Sequence, residues 1–248
     1  MAWLILTLIF LVGLVASLFD SFIGGGGGTI SVPALIFFGL PINMAVPTNR
    51  LGVLGTGFSN TLVFLKNKKI IFKYLPILIL VSIVGSIIGA NIFLSIDKSI
   101  LSKIIGIMIL LVLPIIFIRK DSGLVKKIVS KTYNYFGYIS YFILAIYDGF
   151  FGVGAGIVAI YIFIFLFGTT IIEANALDKI PWFINVLIST IIFAFSGLIN
   201  YIYGLVLLLG MLIGGYFGAR IVITKGNIFV KAVFSVIVVI FAIKLLFF

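Results

Sequence analysis

The 248-residue chain contains no cysteine and no histidine, and only six acidic residues: Asp20, Asp97, Asp121, Asp148, Glu173 and Asp178. The lack of cysteine excludes disulfides, thiolate nucleophiles and cysteine metal sites. The lack of histidine removes the commonest general base and metal ligand. The acids are too scattered along the chain for a clustered carboxylate centre. Gly152–Gly156 reads GxGxG, but no βαβ pattern surrounds it, so it is not a dinucleotide fingerprint. These absences predict that the chain is not an enzyme and holds no metal and no cofactor. Charge is scarce too, at 9% against 63% hydrophobic residues. A soluble domain could not cover that much apolar surface.

The apolar runs are long enough to span hydrocarbon and fill most of the chain. We therefore expect a single all-α integral membrane protein, 1–248, multi-pass in the cell membrane with the lipid bilayer as its solvent. The net charge of +11 does not point to nucleic acid. The lysines cluster between apolar runs, as the positive-inside rule requires. The run from Trp3 to Phe19 lacks a basic leader and a cleavage site, so a retained membrane segment is expected there.

A duplication runs through the sequence. Asp20-Ser-Phe-Ile-Gly-Gly-Gly-Gly-Gly28 returns 128 residues later as Asp148-Gly-Phe-Phe-Gly-Val-Gly-Ala-Gly156. Asn49-Arg50-Leu51 returns as Asp178-Lys179-Ile180, and Gly85-Ser-Ile-Ile-Gly89-Ala90 as Gly214-Gly-Tyr-Phe-Gly218-Ala219, both at an offset of 129. Repeat one is 1–118 and repeat two is 132–248, joined by a basic connector, 119–131. Each repeat holds five apolar segments. In the first they fall near 3–19, 28–39, 45–65, 72–95 and 100–118. In the second they fall near 133–149, 156–167, 172–195, 201–223 and 228–247. The second segment of each repeat is too short to span. The first two segments are thus expected to form a helical hairpin broken at glycines, followed by three long transmembrane helices.

Lysine placement orients the repeats. The 66–73 loop and the 119–131 connector are basic and expected on the cytoplasmic side. The counterpart of the first loop, 196–200, carries no charge, whereas the loop after it carries Arg220 and Lys225. The pattern flips between halves, as in inverted repeats with an odd number of crossings each. Both termini are then expected outside. A duplicated membrane unit of this kind points to a transporter with its site where the copies meet.

Four groups of residues are candidates for that site. The Gly turns, Gly25, Gly26, Gly27 and Gly28 in one half and Gly154, Ala155 and Gly156 in the other, precede short helices. Free backbone N–H groups and the positive helix end there suit an anion. Tight helix packing is the alternative use of such glycines. Thr48, Asn49 and Arg50, with Asp178 and Lys179, place ionisable groups inside apolar segments, where charge is costly and is kept for function. Snorkelling from a helix end is the alternative. Asp20 and Asp148 either cap a broken helix or act as proton-coupling carboxylates; both readings stand. Thr56, Asn60, Asn175 and Asn185 lie on polar stripes of the same segments as Arg50 and Lys179, and are candidates for lining a path, or for joining helices.

Ser21-Phe-Ile-Gly-Gly-Gly-Gly-Gly-Thr-Ile-Ser-Val-Pro33 followed by Thr48-Asn-Arg50-Leu51 resembles the TauE/SafE family of sulfite and organosulfonate transporters. The second half agrees, with Gly149-Phe-Phe-Gly-Val-Gly-Ala-Gly156, Lys179 and Gly214-Gly-Tyr-Phe-Gly-Ala-Arg220. The resemblance implies a two-repeat permease for a small sulfur-containing anion, sulfite or a sulfonate, mostly moved outward. An anion channel and a membrane scaffold without a transported ligand are the competing readings.

Overall fold

A computed structural model describes residues 2–23, 27–97, 100 and 123–247. Gly24, Gly25 and Gly26, the 100–118 segment apart from Ile100, and the first part of the connector lie outside the described residues. The described chain is helical throughout. Its helices are α1 (Ala2–Ile23), α2 (Gly28–Phe37), α3 (Ile42–Lys66), α4 (Leu75–Ser95), α5 (Lys131–Phe150), α6 (Ala155–Leu166), α7 (Ile171–Phe195) and α8 (Tyr201–Phe247). Gly226, at φ 80° and ψ 176°, breaks α8 into two pieces.

Among the described residues, four stretches are long and apolar enough to cross a membrane: Trp3–Phe22, Phe72–Ser95, Ile171–Phe195 and Tyr201–Gly226. The protein is a multi-pass membrane protein. α2 and α6 have 10 and 12 residues. At about 1.5 Å per residue they reach roughly half way through a core of about 30 Å.

Local sequence sets the breaks. Gly152 (φ 75°) and Gly154 (φ 78°) take left-handed conformations that interrupt the chain between α5 and α6. The Tyr147 hydroxyl donates to the Val153 carbonyl at 2.5 Å and pins that turn. α7 opens with a reciprocal capping box between Thr170 and Glu173. The connector's described end docks there: Lys127 N donates to Gly168 O at 2.8 Å, and Ile171 N to Gly123 O at 2.9 Å.

α1 shows how packing follows sequence. Leu4, Leu8, Leu11 and Val15 form an exposed stripe at helical spacing, suited to lipid. Ile9, Ala16, Ser17, Asp20 and Ser21 are buried on the other side. Small residues there admit a neighbouring backbone. A Cβ on Gly13 would lie 2.7 Å from Leu207 O, and one on Gly218 would lie 2.7 Å from the Ser21 side chain. α1 therefore packs closely on α8.

The pairing of helices is reciprocal between halves. α1 packs on α8, and its counterpart α5 packs on α4, the counterpart of the first part of α8. Likewise α3 packs on α8 and α7 on α4, while α3 and α7 pack on each other. The first helix of each half is thus held mainly by the fourth helix of the other half. Gly85/Gly89 on α4 face Ala145, Ile146 and Phe150 of α5, matching Gly214/Gly218 against α1.

Helix ends differ from the sequence expectation in ways that matter. α3 begins at Ile42 rather than near 45, so Arg50 lies more than two turns inside and Pro47 is internal. α1 runs on to Ile23 and α5 to Phe150, so Asp20 and Asp148 fall within the final turns of their helices. The apolar runs underestimate α1 and α5 because polar and small residues such as Asp20, Ser21, Asp148 and Gly149 keep helical geometry where neighbours bury them.

Candidate functional site

The centre of the molecule holds many buried polar side chains. Arg50 is 3% exposed and Lys179 fully buried, so neither reaches the membrane interface as a snorkelling side chain would. Arg50 crosses to the other half: its Nη1 lies 3.2 Å from Asp148 Oδ1. Gly152 makes this approach possible. A Cβ there would strike both Arg50 Nη2 and Asp148 Oδ1, and its φ of 75° also disfavours any side chain. The second Gly turn therefore makes room for an ion pair.

The first Gly turn is used differently. Gly27 N donates to Asp20 Oδ1 at 2.9 Å, a bond that holds α2 against the end of α1. Ser31 bridges Gly27 O at 3.0 Å and Asn49 Oδ1 at 2.6 Å. Asp148 has no such bond to its own Gly turn. Two carboxylates that correspond in sequence thus hold different partners.

Two small cavities flank Asp148. One, of about 20 Å³, is lined by Asp20, Gly28, Asn49, Arg50, Asp148 and Gly152, with Val53, Phe151, Val153 and Trp182. It has room for roughly one water. The other, of about 10 Å³, is lined by Tyr141, Asp148, Ala155, Gly156 and Asp178, with Leu144, Ala145, Ala159 and Trp182. Among the described residues, only Asp148 and Trp182 border both. In the second cavity Tyr141 OH donates to Asp178 Oδ1 at 2.9 Å, and Asp178 Oδ2 has no hydrogen-bond partner among the described residues. The first cavity as it stands is too small for an oxyanion.

The expected site residues divide accordingly. Gly28, Asn49, Arg50, Asp20 and Asp148 meet at the first cavity, and Ala155, Gly156 and Asp178 at the second. Gly154 is the left-handed residue before α6. Thr48 lies elsewhere: its hydroxyl accepts from Asn200 N at 3.0 Å, at the start of α8. Thr56, Asn60, Asn175 and Asn185 border neither cavity and join helices. Thr56 meets Ser17 at 2.7 Å, and Asn60 Oδ1 accepts from Ser21 at 2.9 Å. Asn175 Nδ2 donates to Ser21 O at 3.0 Å, and Asn185 Nδ2 to Ala145 O at 2.9 Å. Gly25 and Gly26 fall outside the described residues.

Several residues at the cavities carried no assignment from sequence, Tyr141 and Trp182 among them. Helical spacing gave a usable signal for two of them. Tyr141 is seven residues before Asp148 on α5, and Trp182 three after Lys179 on α7, so each shares a face with a candidate.

Lys179 is the exception. Its Nζ borders neither cavity and has no hydrogen-bond partner among the described residues. It lies 5.8 Å from the Phe64 ring centroid and 5.7 Å from that of Trp182. A buried amine without hydrogen-bond acceptors costs stability, which ring contacts offset only in part. Lys179→Met, which keeps the stem and removes the amine, is expected to leave the melting temperature in detergent unchanged or higher. A clear drop would show that the nitrogen has a stabilising partner. Lower flux without that drop assigns the amine to transport.

Comparison with known proteins gives a consistent result. The family model described as "Sulfite exporter TauE/SafE" matches residues 9–245. A protein of Haemophilus influenzae called "Probable membrane transporter protein" is 32% identical over 92% of this chain and 89% of its own length. The "Probable membrane transporter protein YfcA" of Escherichia coli is 27% identical over 98% of this chain and 90% of its own. The "Probable membrane transporter protein YunE" of Bacillus subtilis is 28% identical, over 84% and 85% respectively. No solved structure matches the chain. The helical membrane architecture and the match along nearly the whole sequence lead to one conclusion: the chain belongs to the TauE/SafE family of membrane transport proteins.

Proposed function

We propose that this protein is a secondary transporter of a small sulfur-containing anion, sulfite or a sulfonate, carried outward by alternating access between inverted halves. The observation that carries the reading is Arg50: a buried arginine beside a water-sized cavity where elements of both halves meet. A guanidinium at membrane depth is costly, and its planar array of N–H groups suits an oxyanion. Among the described residues Nε and Nη2 of Arg50 have no hydrogen-bond partner, so donors remain for a ligand. The family match supports the substrate class. The reciprocal helix pairing supports a two-fold relation between halves, and the flip in lysine placement supports an inverted one. Cavities of this size favour a carrier that opens in turn to each side over a standing channel.

Flux into proteoliposomes tests the function, with sulfite, ethanesulfonate, thiosulfate and sulfate as separate substrates. Saturable flux of sulfite or ethanesulfonate is expected, with competition between them. Flux that rises without saturation would indicate a channel, and no flux of any would refute the reading. Topology is tested separately, because the chain has no cysteine of its own. Single cysteines at Lys68 and Leu198 are expected to label from opposite sides of the membrane. Labelling from the same side would overturn the inverted arrangement.

A further inference from the structure

Asp148 occupies a position that no other ionisable group among the described residues shares. It pairs with Arg50 in the first cavity, and it also borders the second, where Asp178 and Tyr141 lie. The groups that act on it electrostatically are Arg50 from α3, Asp20 from α1, Asp178 from α7, and Tyr141 and Tyr147 on its own helix. Lys179 of α7 adjoins Asp178 in sequence and acts on that carboxylate. α4 has no titratable side chain and α6 only Tyr161.

We propose that Asp148 is the proton-coupling site: the transported anion and Asp148 compete for Arg50, and a carboxylate displaced by the anion takes up a proton by way of the Asp178–Tyr141 cavity. The proposal rests on the reading of Arg50 as the anion site. The geometry supplies each part of the exchange. Arg50 is already held by a negative group, so an anion entering the first cavity must share or replace that partner. Two negative charges beside one guanidinium, away from water, repel strongly. Protonating Asp148 removes the conflict. The second cavity borders Asp148 but not Arg50, so a proton delivered from it need not pass the anion's position. Asp178 Oδ2, buried and without a partner among the described residues, is the acceptor that can hold a proton on the way, while Tyr141 orients the carboxylate through Oδ1. The overall step is binding of one anion and one proton. No bond other than the carboxyl O–H forms, and the proton comes from bulk water.

The stoichiometry of binding tests this. Ethanesulfonate is the probe, since it does not titrate between pH 5 and 8. Binding to the purified protein in detergent is followed by thermal stabilisation, and proton uptake by an indicator dye in weak buffer. The expected result at neutral pH is uptake of about one proton per ethanesulfonate bound in the parent protein, and none in Asp148→Asn, which still binds. Binding by the parent without uptake, or undiminished uptake by Asp148→Asn, would overturn the coupling proposal and leave the anion site standing. No binding by the parent would remove the sulfonate reading and the coupling with it. Should Asp148→Asn fail to fold, the infrared difference spectrum of the parent decides. Ethanesulfonate must produce a protonated-carboxyl band that persists in Asp20→Asn; without that band in the parent the proposal fails.

Discussion

Arg50→Gln is expected to weaken anion binding by roughly ten- to hundredfold and to reduce flux at low substrate by a similar factor. A charge-assisted hydrogen bond contributes about 1.5–3 kcal/mol more than no bond, and about 1.4 kcal/mol is a factor of ten. The same change removes the partner of Asp148. Breaking a buried ion pair by deleting one member commonly costs about 3–5 kcal/mol, because the remaining charge is stranded. Glutamine limits that cost, since its amide can still donate to the carboxylate. Arg50→Lys is the control: it retains the charge but not the planar fork, and should fall between parent and Gln variant. Thermal shift by ethanesulfonate and sulfite, with flux, provides the measurement. Parent-like binding and transport in Arg50→Gln would assign the arginine to structure alone.

The second large effect concerns packing. Gly89→Ala is expected to lower the melting temperature by several degrees and to impair transport. The added Cβ would fall on Ile146 O and 2.6 Å from Phe150 N, both backbone atoms of α5. Backbone cannot rotate away as a side chain can, so α4 and α5 must move apart. Overpacking of this kind costs about 1–3 kcal/mol. The displaced segment includes Asp148 and Gly149, so the distance from Asp148 to Arg50 should change with it. Gly214→Ala is expected to act alike from the other half, where the Cβ would fall on Leu14 O. Ile87→Val, on an exposed part of the same helix α4, should change little. If Gly89→Ala melts with the parent, the contact is softer than the backbone positions require.

These two changes act on different parts of one arrangement. α4 packs tightly on α5, α5 carries Asp148, and Asp148 holds Arg50 of α3. Stability of the helix pair and geometry of the charge pair are therefore linked through Asp148. Polar contacts between helices reinforce the frame. Ser17 with Thr56 joins the first and third helices of one half, and Ala145 O with Asn185 joins those of the other. These two contacts use residues that correspond in the repeats, with different chemistry at each end.

Several features follow from the sequence alone. Composition decides the solvent: a chain this apolar must place its surface in lipid, and backbone hydrogen bonding then demands helices or a closed barrel. Helical spacing of apolar and small residues identifies the lipid-facing and packing stripes of α1. Glycine runs mark the positions before the short helices, and at Gly152 and Gly154 the backbone is left-handed, which few other residues accept. The repeated Asn49-Arg50 and Asp178-Lys179 mark costly charge inside apolar segments. The tertiary structure decided what each of these groups touches. Arg50 and Asp148 are 98 residues apart, and no periodicity says that they meet. Asp20 and Asp148 read alike, yet one holds a backbone N–H and the other a guanidinium. Arg50 and Lys179 read alike, yet one borders a cavity and the other lies against aromatic rings. A duplicated sequence specifies equivalent local geometry in both halves, but partners are set by how helices from the two halves pack. That packing depends on long-range contacts between small residues and opposing backbone, which spacing within one helix does not encode.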